Sequence, residues 1–565
     1  MPHEPAPSWN SADRVLYRPP ERLVAARPSA ASTSREQAAG PGHQGSLGRR
    51  GIAALVFAML SGLITLGYHL FKYPLYSTDE GTYMERAWAV IRLGGLAPVT
   101  YIYDHAPAGW LFIAGWVYVL PHQFETFGNA INTGRVLMLV LHLASVFFLF
   151  QIARKLSGGL LAPVVATFFF NFSPLAIYYE RMVLLDNIMV FWVLLSTYLL
   201  LRRETRVFTA MWSGLAFGIS VVCKENAIFF APTIFYLLAR RTKGNPDRPF
   251  AMTLWLVAAS VPIAFYFLFA TLKGELFPAQ LDFNLNQAQT EHVSLLYELW
   301  YQVHRNQGTL FTHGSFLYTA WLPKDPFLLA GGTAAMLICL YLGWRGRERD
   351  PSLLVVGTLA FEIAFYLVRG SVILDFYVIP LIPTYGLCIG LLADRAHKRF
   401  SGPAARIFVP AICAGLAALL LLPTGGYLIT HGQKGQLQPA DVYYLPLTYL
   451  QAEQLAWIRQ HIPVDDKIIM DDDLWVNLRD QNPVYPYAWS HWNAAGDPTV
   501  RNKVFHADWQ DIDYIVLSNG MKQAMIGNNT AGQENYILNA LDNHSTEVWQ
   551  ASRGNVHLAI YKVQN

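Results

Sequence analysis

The sequence predicts a polytopic α-helical membrane protein with a C-terminal extracytoplasmic α/β domain. Three observations lead to this fold class. First, 53% of the 565 residues are hydrophobic and 14% are charged, whereas soluble domains carry roughly 25% charged residues. Second, apolar runs of membrane-spanning length recur along most of the chain. Third, from about residue 430 the composition changes to that of a soluble domain with helix and strand patterns.

The composition also excludes several classes of protein. Aliphatic and aromatic residues are too abundant for a disordered or collagen-like chain. A net charge of +3 over this length gives no basis for nucleic-acid binding. The cysteines lie inside or at the end of apolar runs, which predicts small buried hydrophobes rather than disulfides. They are Cys223, Cys339, Cys388 and Cys413.

The N-terminal part combines a polar tail with a first span. Residues 1–48 are rich in Pro, Ala, Ser and Arg and have too few aliphatic residues for a core, so we predict a disordered cytoplasmic tail. The first apolar run follows Arg50 directly and continues to Phe71 without an obvious cleavage site. It predicts a retained transmembrane helix rather than a removed signal peptide.

Apolar runs predict about eleven transmembrane helices within a membrane module at residues 49–429. After the first, the runs lie at 132–153, 159–176, 184–201, 207–223, 225–239, 250–272, 326–344, 352–369, 374–394 and 405–428. The shorter run 107–120 is more typical of an interfacial or re-entrant segment. Six basic clusters fall at every second boundary only if 107–120 does not cross the membrane.

Basic clusters are retained on the cytoplasmic side of a membrane. With eleven spans, all six clusters and the N-terminus are therefore predicted to be cytoplasmic, in a multi-pass protein of the cytoplasmic membrane. The predicted outer segments are a first outer loop at 72–131, a short loop at 177–183, a large later loop at 273–325 and the C-terminal domain at 430–565.

The C-terminal domain is predicted from its own patterns. Residues 447–463 form an amphipathic pattern that ends at Pro463, and strands are predicted in DKIIMDD, DIDYIVLS and HLAIYKV. Asp471–Asp473 directly follow the first of these strands. That position suits a ligand site in an α/β fold or, alternatively, a solvated turn between strand and helix.

A pair of acids follows the first span. At the membrane surface a partly desolvated Asp79 carboxylate can act as a base toward a hydroxyl, while Glu80 holds the geometry or a cation. The alternative is a helix N-terminus, with Ser77 or Thr78 as the cap and the acids favoured by the helix dipole.

Other ionisable residues are predicted on the same outer face of the membrane. Ionisable groups at membrane depth are costly and usually functional. Their convergence on one face therefore predicts a functional site there. The residues concerned are Asp104, His105, Arg135, Glu180, Arg181, Asp186, Lys224 and Glu225.

The order of these motifs resembles the C-superfamily of membrane glycosyltransferases (GT-C), in particular the protein O-mannosyltransferase-like branch that includes the lipid A aminoarabinose transferases. The resemblance covers roughly residues 50–240. It departs from the branch at Ala106 and Ala108, where a second Pro and a Leu or Gly are common. The matching features are DEGTYMERAWAVIRLGG, DHAPAGW, Arg135, ERMVLLDN and KENA.

The resemblance implies an inverting glycosyltransferase at the outer face of the membrane. It would move a sugar from a polyprenyl-phosphate carrier to a hydroxyl of a protein, lipid or polysaccharide acceptor. Asp79 would be the general base and Glu80 would support it. The residues expected to bind the donor phosphate and substrate are Arg135, Arg181, Lys224, His105 and Asp104.

Several of these roles have alternatives. Glu180 and Asp186 would be supporting acids, with Asp186 either orienting an arginine or serving helix packing or an ion pair. Arg181 could pair with Glu180 instead of a phosphate, and His105 could cap structure instead of binding substrate. No cofactor is certain, although the oxygens of Asp79 and Glu180 are suited to a divalent cation.

Two other function classes also fit a polytopic chain. One is a multi-spanning transporter or lipid flippase, for which charged residues near the bilayer midplane are expected. Glu362 is the only acid well inside a predicted span, apart from Asp186 near an end. The other is a non-catalytic glycan-binding subunit of an envelope assembly complex.

Overall fold

A computed structural model gives the structure of most of the chain. It describes residues 47–202, 207–278, 293–304, 309–345, 350–369, 373–399, 402, 411, 415, 446–528 and 532–564. The predicted tail at 1–48, apart from its last two residues, and almost all of the predicted span at 405–428 lie outside the described residues, as does Cys413. The other three cysteines are buried and free, as predicted.

The described part of the membrane module is helical. Its helices are α1 Arg49–Gly67, α2 Thr78–Leu93, α3 Ala108–Tyr118, α4 Ala130–Ser157, α5 Leu161–Phe172, α6 Pro174–Tyr179, α7 Leu185–Leu200, α8 Val207–Cys223, α9 Ala231–Arg241, α10 Arg248–Leu272, α11 Leu295–His304, α12 Leu322–Lys324, α13 Pro326–Arg345, α14 Pro351–Val368 and α15 Leu381–Arg399.

Within the described residues, six helical segments are long and apolar enough to cross a membrane. Four shorter apolar helices, α3, α5, α7 and α8, accompany them. The predicted polytopic helical fold is therefore confirmed, whereas the number eleven stays a prediction. The six segments are Arg49–Gly67, Ala130–Ser157, Arg248–Leu272, Pro326–Arg345, Pro351–Val368 and Asp375–Arg399.

Small residues let neighbouring helices of the bundle approach closely. A Cβ atom at Gly214 of α8 would lie 2.3 Å from the Trp255 carbonyl oxygen of α10, and one at Gly218 would lie 2.2 Å from the Ala259 carbonyl oxygen. Such close backbone contact is the usual way in which helices associate within lipid, where burial of apolar surface gives little driving force.

Helix α2 differs from its neighbours because it is polar and has strong end signals. The Ser77 hydroxyl accepts a hydrogen bond from the Glu80 amide at 3.3 Å, and the Glu80 carboxylate accepts one from the Ser77 amide at 3.2 Å. The helix stops before Gly94, whose φ of 66° is left-handed. The capping interpretation is thus confirmed for Ser77 and Glu80.

Helix α3 occupies most of the short apolar run. Its 11 residues span about 16 Å, far less than a hydrocarbon core of about 30 Å. This length agrees with the prediction that residues 107–120 do not cross, which itself stays a prediction.

The C-terminal part of the described chain is an α/β unit. Its helices are α16 Thr448–His461, α17 Trp475–Asp480, α18 His491–Gly496, α19 Pro498–Lys503, α20 Met521–Asn528 and α21 Asn535–Asn543. Its strands are β1 Ile468–Met470, β2 Ala488–Ser490, β3 Tyr514–Leu517, β4 Ser545–Arg553 and β5 Val556–Val563. They form one sheet in the order β2-β1-β3-β5-β4.

The sheet is mixed. β1 pairs in parallel with β2 and β3, and β5 pairs antiparallel with β3 and β4. The predicted helix ending before Pro463 and the three predicted strands are present as α16, β1, β3 and β5. β2 and β4 were not predicted, because β2 has only three residues and β4 is a largely exposed, polar edge strand.

Candidate functional site

Asp79 lies in the first turn of α2, and its side chain is half-buried. Within the described part of the chain its carboxylate makes no hydrogen bond or ion pair. Burial raises the pKa of Asp79 to about 7, while the positive charge of Lys224 opposes this rise and the negative charge of Asp375 adds to it. An unpaired, partly accessible carboxylate with such a pKa is typical of a catalytic base.

A buried ion pair lies within electrostatic range of Asp79. The Lys224 Nζ is 2.6 Å from Asp186 Oδ2, and both side chains are at most 2% exposed. The ammonium also lies over the rings of Phe376 and Tyr377, at 4.7 and 4.4 Å from their centroids. Asp186 therefore pairs with a lysine, which agrees with the ion-pair alternative rather than with the orientation of an arginine.

Glu80, by contrast, is fully enclosed and paired. Arg135 donates to the Glu80 carboxylate from Nε at 2.8 Å and from Nη2 at 2.7 Å, and neither side chain is exposed. The remaining Arg135 hydrogen bonds go to the carbonyl oxygens of Leu70 and Leu75, and Glu80 also accepts from the Val183 amide. This arrangement anchors α2 to α4 and to the preceding loop.

Asp104 pairs with an arginine that the sequence analysis did not single out. Arg86 donates to both oxygens of Asp104 at 2.8 Å, and its guanidinium lies 4.8 Å from the Trp110 ring centroid. Although burial raises the pKa of Asp104, the Arg86 charge outweighs it and holds that pKa below its usual value. Asp104 is thus an ionised partner that fixes Arg86.

His105 lies against Glu225 of the Lys-Glu-Asn motif. Its Nδ1 is 3.3 Å from Glu225 Oε2, and the Ala106 amide donates to Glu225 Oε1 at 2.6 Å. The preceding Tyr103 has a φ of 59°, which is uncommon for a bulky residue. Its hydroxyl donates to Glu275 at 2.6 Å. The loop carrying His105 is therefore held from several sides.

Glu180 and Arg181 have separate partners. Glu180 Oε2 lies 3.5 Å from His142 Nδ1, and His142 Nε2 lies 3.1 Å from Asn171. Arg181 is fully buried and donates to the carbonyl oxygens of Thr65, Tyr68 and Tyr73 at the end of α1 and just beyond it. These contacts join α1, α4 and α5 below the second predicted outer loop.

The cation considered for Asp79 and Glu180 finds no further ligands in the described part of the chain. There, no group of three or more His, Cys, Asp or Glu side chains has an arrangement that could hold a metal ion. Glu180 is instead occupied by His142.

The structure brings together only some of the predicted site residues. Asp79 lies within electrostatic range of His105, Asp186 and Lys224, whereas Arg135, Arg181 and Glu180 contact other partners. Sequence reasoning missed Arg86 and Asp375, which also belong to this neighbourhood. Arg86 follows Asp79 by two helical turns on the same side of α2, and Asp375 begins a predicted span; both signals were available.

Asp471–Asp473 are each only 4% exposed, so the predicted solvated turn is wrong. They lie at the carboxyl end of β1 and contact α2: Asp471 Oδ2 accepts from Thr78 at 2.9 Å, and Asp472 Oδ2 accepts from Thr82 at 2.5 Å. The run therefore links the C-terminal domain to the helix that carries Asp79.

The described structure thus combines a bundle of apolar helices, a polar helix that carries an accessible acid, and an α/β unit against that helix. Residues 104–266 match the model of the family described as dolichyl-phosphate-mannose-protein mannosyltransferase. No significant match is found among curated proteins.

Solved structures show the same fold. ArnT from Cupriavidus metallidurans, solved with undecaprenyl phosphate, superposes with a TM-score of 0.57 at 16% identity over 91% of this chain and 98% of its own. The oligosaccharyltransferase AglB from Archaeoglobus fulgidus, solved with an inhibitory peptide and a dolichol-phosphate, gives 0.51 at 12% identity over 90% and 74%. The resemblance to GT-C glycosyltransferases is confirmed.

Proposed function

We propose that this chain is an inverting glycosyltransferase that moves a sugar from a polyprenyl-phosphate carrier to a hydroxyl acceptor. The observation that carries the proposal is the Asp79 carboxylate: partly accessible, unpaired among the described residues, with a pKa of about 7 and Lys224 nearby. A base of this pKa is half-deprotonated near neutral pH and can still accept a proton from a hydroxyl.

In the proposed reaction, the acceptor oxygen attacks the anomeric carbon from the side opposite the phosphate. The new carbon–oxygen bond forms as the bond to the phosphate oxygen breaks, so the configuration inverts. Asp79 takes the hydroxyl proton, and the polyprenyl phosphate leaves with the bonding electron pair. Negative charge grows on that phosphate, and fixed cations in a dry site stabilise it.

Lys224 is the proposed cation for the leaving phosphate. Its ammonium is close enough to Asp79 to influence the pKa of that carboxyl, and Asp186 and two aromatic faces fix its position. We propose a different role for Arg135 and Arg181, since their hydrogen bonds to Glu80 and to backbone carbonyls hold them inside the protein. His105 and Arg86, with Asp104, border the same region and are proposed to contact substrate.

The solved structures support a lipid-linked donor. Undecaprenyl phosphate is bound by ArnT and a dolichol-phosphate by AglB, and both share this fold. We propose that the chain works in the cytoplasmic membrane, with its N-terminus inside and with the site and the C-terminal domain outside. The sugar is proposed to be a hexose or pentose, and the acceptor a protein, lipid or polysaccharide hydroxyl.

A transfer assay with the purified chain tests the proposal. The detergent-solubilised protein is incubated with radiolabelled polyprenyl-phosphate hexoses or pentoses and a panel of hydroxyl acceptors. We expect release of polyprenyl phosphate together with an inverted glycosidic linkage. Movement of the carrier across proteoliposomes without bond cleavage would instead support the transporter or flippase. Glycan binding without turnover would support the non-catalytic subunit.

A further inference from the structure

One face of α2 is bound along its length by the C-terminal domain. Thr78, Thr82 and Glu85 recur at spacings of four and three residues, so they lie on one side of the helix. Their partners are Asp471, Asp472 and Asn493, at 2.9, 2.5 and 3.0 Å respectively. The bound face thus begins one residue before Asp79.

The same face continues to the far end of α2. The Trp88 indole nitrogen donates to Asp480 Oδ1 at 2.8 Å, and Arg92 donates to both Asp480 oxygens at 2.6 and 3.0 Å. The domain therefore holds α2 near both of its ends, which restrains the tilt of the helix and its distance from the domain.

Gly81 sets the distance between the helix and the domain. A Cβ atom at Gly81 would lie 2.2 Å from both the carbonyl carbon and oxygen of Asp472, and 2.6 Å from the Asp473 nitrogen. These are backbone atoms, which cannot rotate aside as a side chain would. An alanine at this position must move α2 away from the domain.

A different face of α2 carries the reacting group. Asp79, Tyr83 and Arg86 follow one another at spacings of four and three, about 100° around the helix from the Thr82 face. The Tyr83 ring centroid lies 6.4 Å from that of His105. Burial, followed by the charges of Asp79 and Asp186, raises the pKa of Tyr83, so this face lies within electrostatic range of the Lys224 and Asp186 pair. Movement of α2 relative to the domain thus moves Asp79 relative to Lys224.

We propose that Gly81, Thr82 and Asp472 are positioning residues through which the C-terminal domain holds the Asp79 carboxylate in its reactive place. The domain is then a part of the catalytic apparatus, not a separate module for binding glycan. The inference rests on the proposed role of Asp79 as the base. It gives the Asp471–Asp473 run a positioning role, in place of the ligand site or solvated turn that the sequence suggested.

The first test compares two helical glycines in the purified full-length chain. The Cβ atom in Gly81→Ala would clash with the Asp472 backbone, whereas a Cβ atom at Gly115 of α3 meets nothing within 4 Å, which makes Gly115→Ala the matched control. We expect Gly81→Ala to lower kcat about 100-fold, as a displacement of about 1 Å can do. The KM for the donor should change little, and Gly115→Ala should match the wild type.

A second readout needs no substrate. Carbodiimide coupling labels protonated carboxyls, so mass spectrometry of the Asp79 peptide at a series of pH values follows the titration of Asp79. The charged groups that act on this titration are Lys224, His105, Asp186 and Asp375. The wild-type midpoint is expected near pH 7, and displacement into water should move it toward 3.8 in Gly81→Ala. A general loss of packing is checked separately by size-exclusion chromatography and thermal melting.

Thr82 provides a milder test if Gly81→Ala does not fold. Thr82→Val removes the hydroxyl that donates to Asp472 at 2.5 Å, and Thr82→Ser keeps it. We expect Thr82→Val to lower kcat about tenfold and to shift the labelling midpoint downward, with Thr82→Ser close to wild type.

Folded variants with wild-type kcat and an unchanged Asp79 midpoint would overturn the inference. Its failure is distinguishable from failure of the proposed function. If the wild type transfers no sugar but the labelling midpoint shifts in Gly81→Ala and Thr82→Val, the proposed reaction is rejected while the positioning of Asp79 by the domain is supported.

Discussion

Asp79 and Glu80 are consecutive residues of α2, and their carboxyl groups lie in opposite environments. Glu80 is completely buried and binds both nitrogens of one edge of Arg135, whereas Asp79 keeps access to solvent and has no hydrogen-bond partner among the described residues. One acid therefore holds the helix in place, and its neighbour is left available for chemistry.

The first prediction concerns the removal of the proposed base. Asp79→Asn should lower the rate of sugar transfer by about 10²- to 10⁴-fold, because no base then takes the proton from the acceptor hydroxyl. Melting temperature and donor binding should be preserved, since no partner of Asp79 is lost. The matched control is Glu125→Gln, which neutralises an exposed acid in the same predicted outer loop. Full activity of Asp79→Asn would reject the assignment of the base.

The second prediction is the pH dependence of the reaction. Since the pKa of Asp79 is raised to about 7, the protonated and inactive form dominates below that pH. We expect kcat to fall about tenfold for each pH unit below 7 and to level off above it. Initial rates between pH 5 and 9 give the profile. A rate that is flat down to pH 5 would show that another group acts as the base.

The third prediction separates the electrostatic and structural roles of Lys224. Lys224→Met leaves Asp186 buried without its partner, which should cost about 3–5 kcal/mol of stability. The double variant Lys224→Met/Asp186→Asn should recover much of that stability and still show weak use of the donor. Thermal melting and the donor KM report the two effects. If the double variant used the donor as well as the wild type does, Lys224 would not be the residue that binds the donor phosphate.

The fourth prediction concerns Arg135, for which the structure favours an anchoring role. Arg135→Ala should reduce stability by about 3–5 kcal/mol, since Glu80 would remain buried and unpaired. Among molecules that stay folded, the donor KM should change by no more than about twofold. Arg154→Ala, at the other end of α4, serves as the control. A selective rise in donor KM without destabilisation would contradict the anchoring role and would indicate that Arg135 binds the donor phosphate.

The fifth prediction uses the buried acid Glu85. Burial first, and then the charge of Asp472, raise the pKa of Glu85 well above its ordinary 4.5. The folded protein then binds this proton more tightly than the unfolded chain, so stability is full below about pH 4.5 and falls as the pH rises. Glu85→Gln keeps the acceptor for Asn493. The Tm of Glu85→Gln minus the Tm of the wild type should therefore increase by about 2–4 °C when the pH is raised from 5 to 8.

Much of the fold was predictable because its signals are local. The apolar runs, the Ser77 to Glu80 cap and the strands β1, β3 and β5 each follow from composition or periodicity within a short window. The edge strand β4 was missed because its polar and charged residues, such as Glu547 and Arg553, mask the alternation expected of a strand.

The site was predicted less well because its pairings are not local. Arg86 binds Asp104 across 18 positions, and Thr82 binds Asp472 across 390. A list of charges on one face cannot tell which cation is already neutralised. Arg135 was therefore predicted to bind the phosphate, whereas in the structure it pairs with Glu80.

The capture of α2 by the C-terminal domain also affects the order of events during synthesis. An isolated polar helix of about 16 residues is marginal in water, and the chain leaves the ribosome from its N-terminus. The apolar helices can enter the membrane early, and Glu80 and Arg86 of α2 find Arg135 and Asp104 within the membrane module. The hydrogen bonds along the Thr82 face of α2, however, form only after residues 471–480 and 493 have been made and folded. On the proposed positioning role of the domain, a chain that ends before these residues would insert as a bundle whose α2 lacks its partners along one face, and activity would begin only once the C-terminal domain has folded.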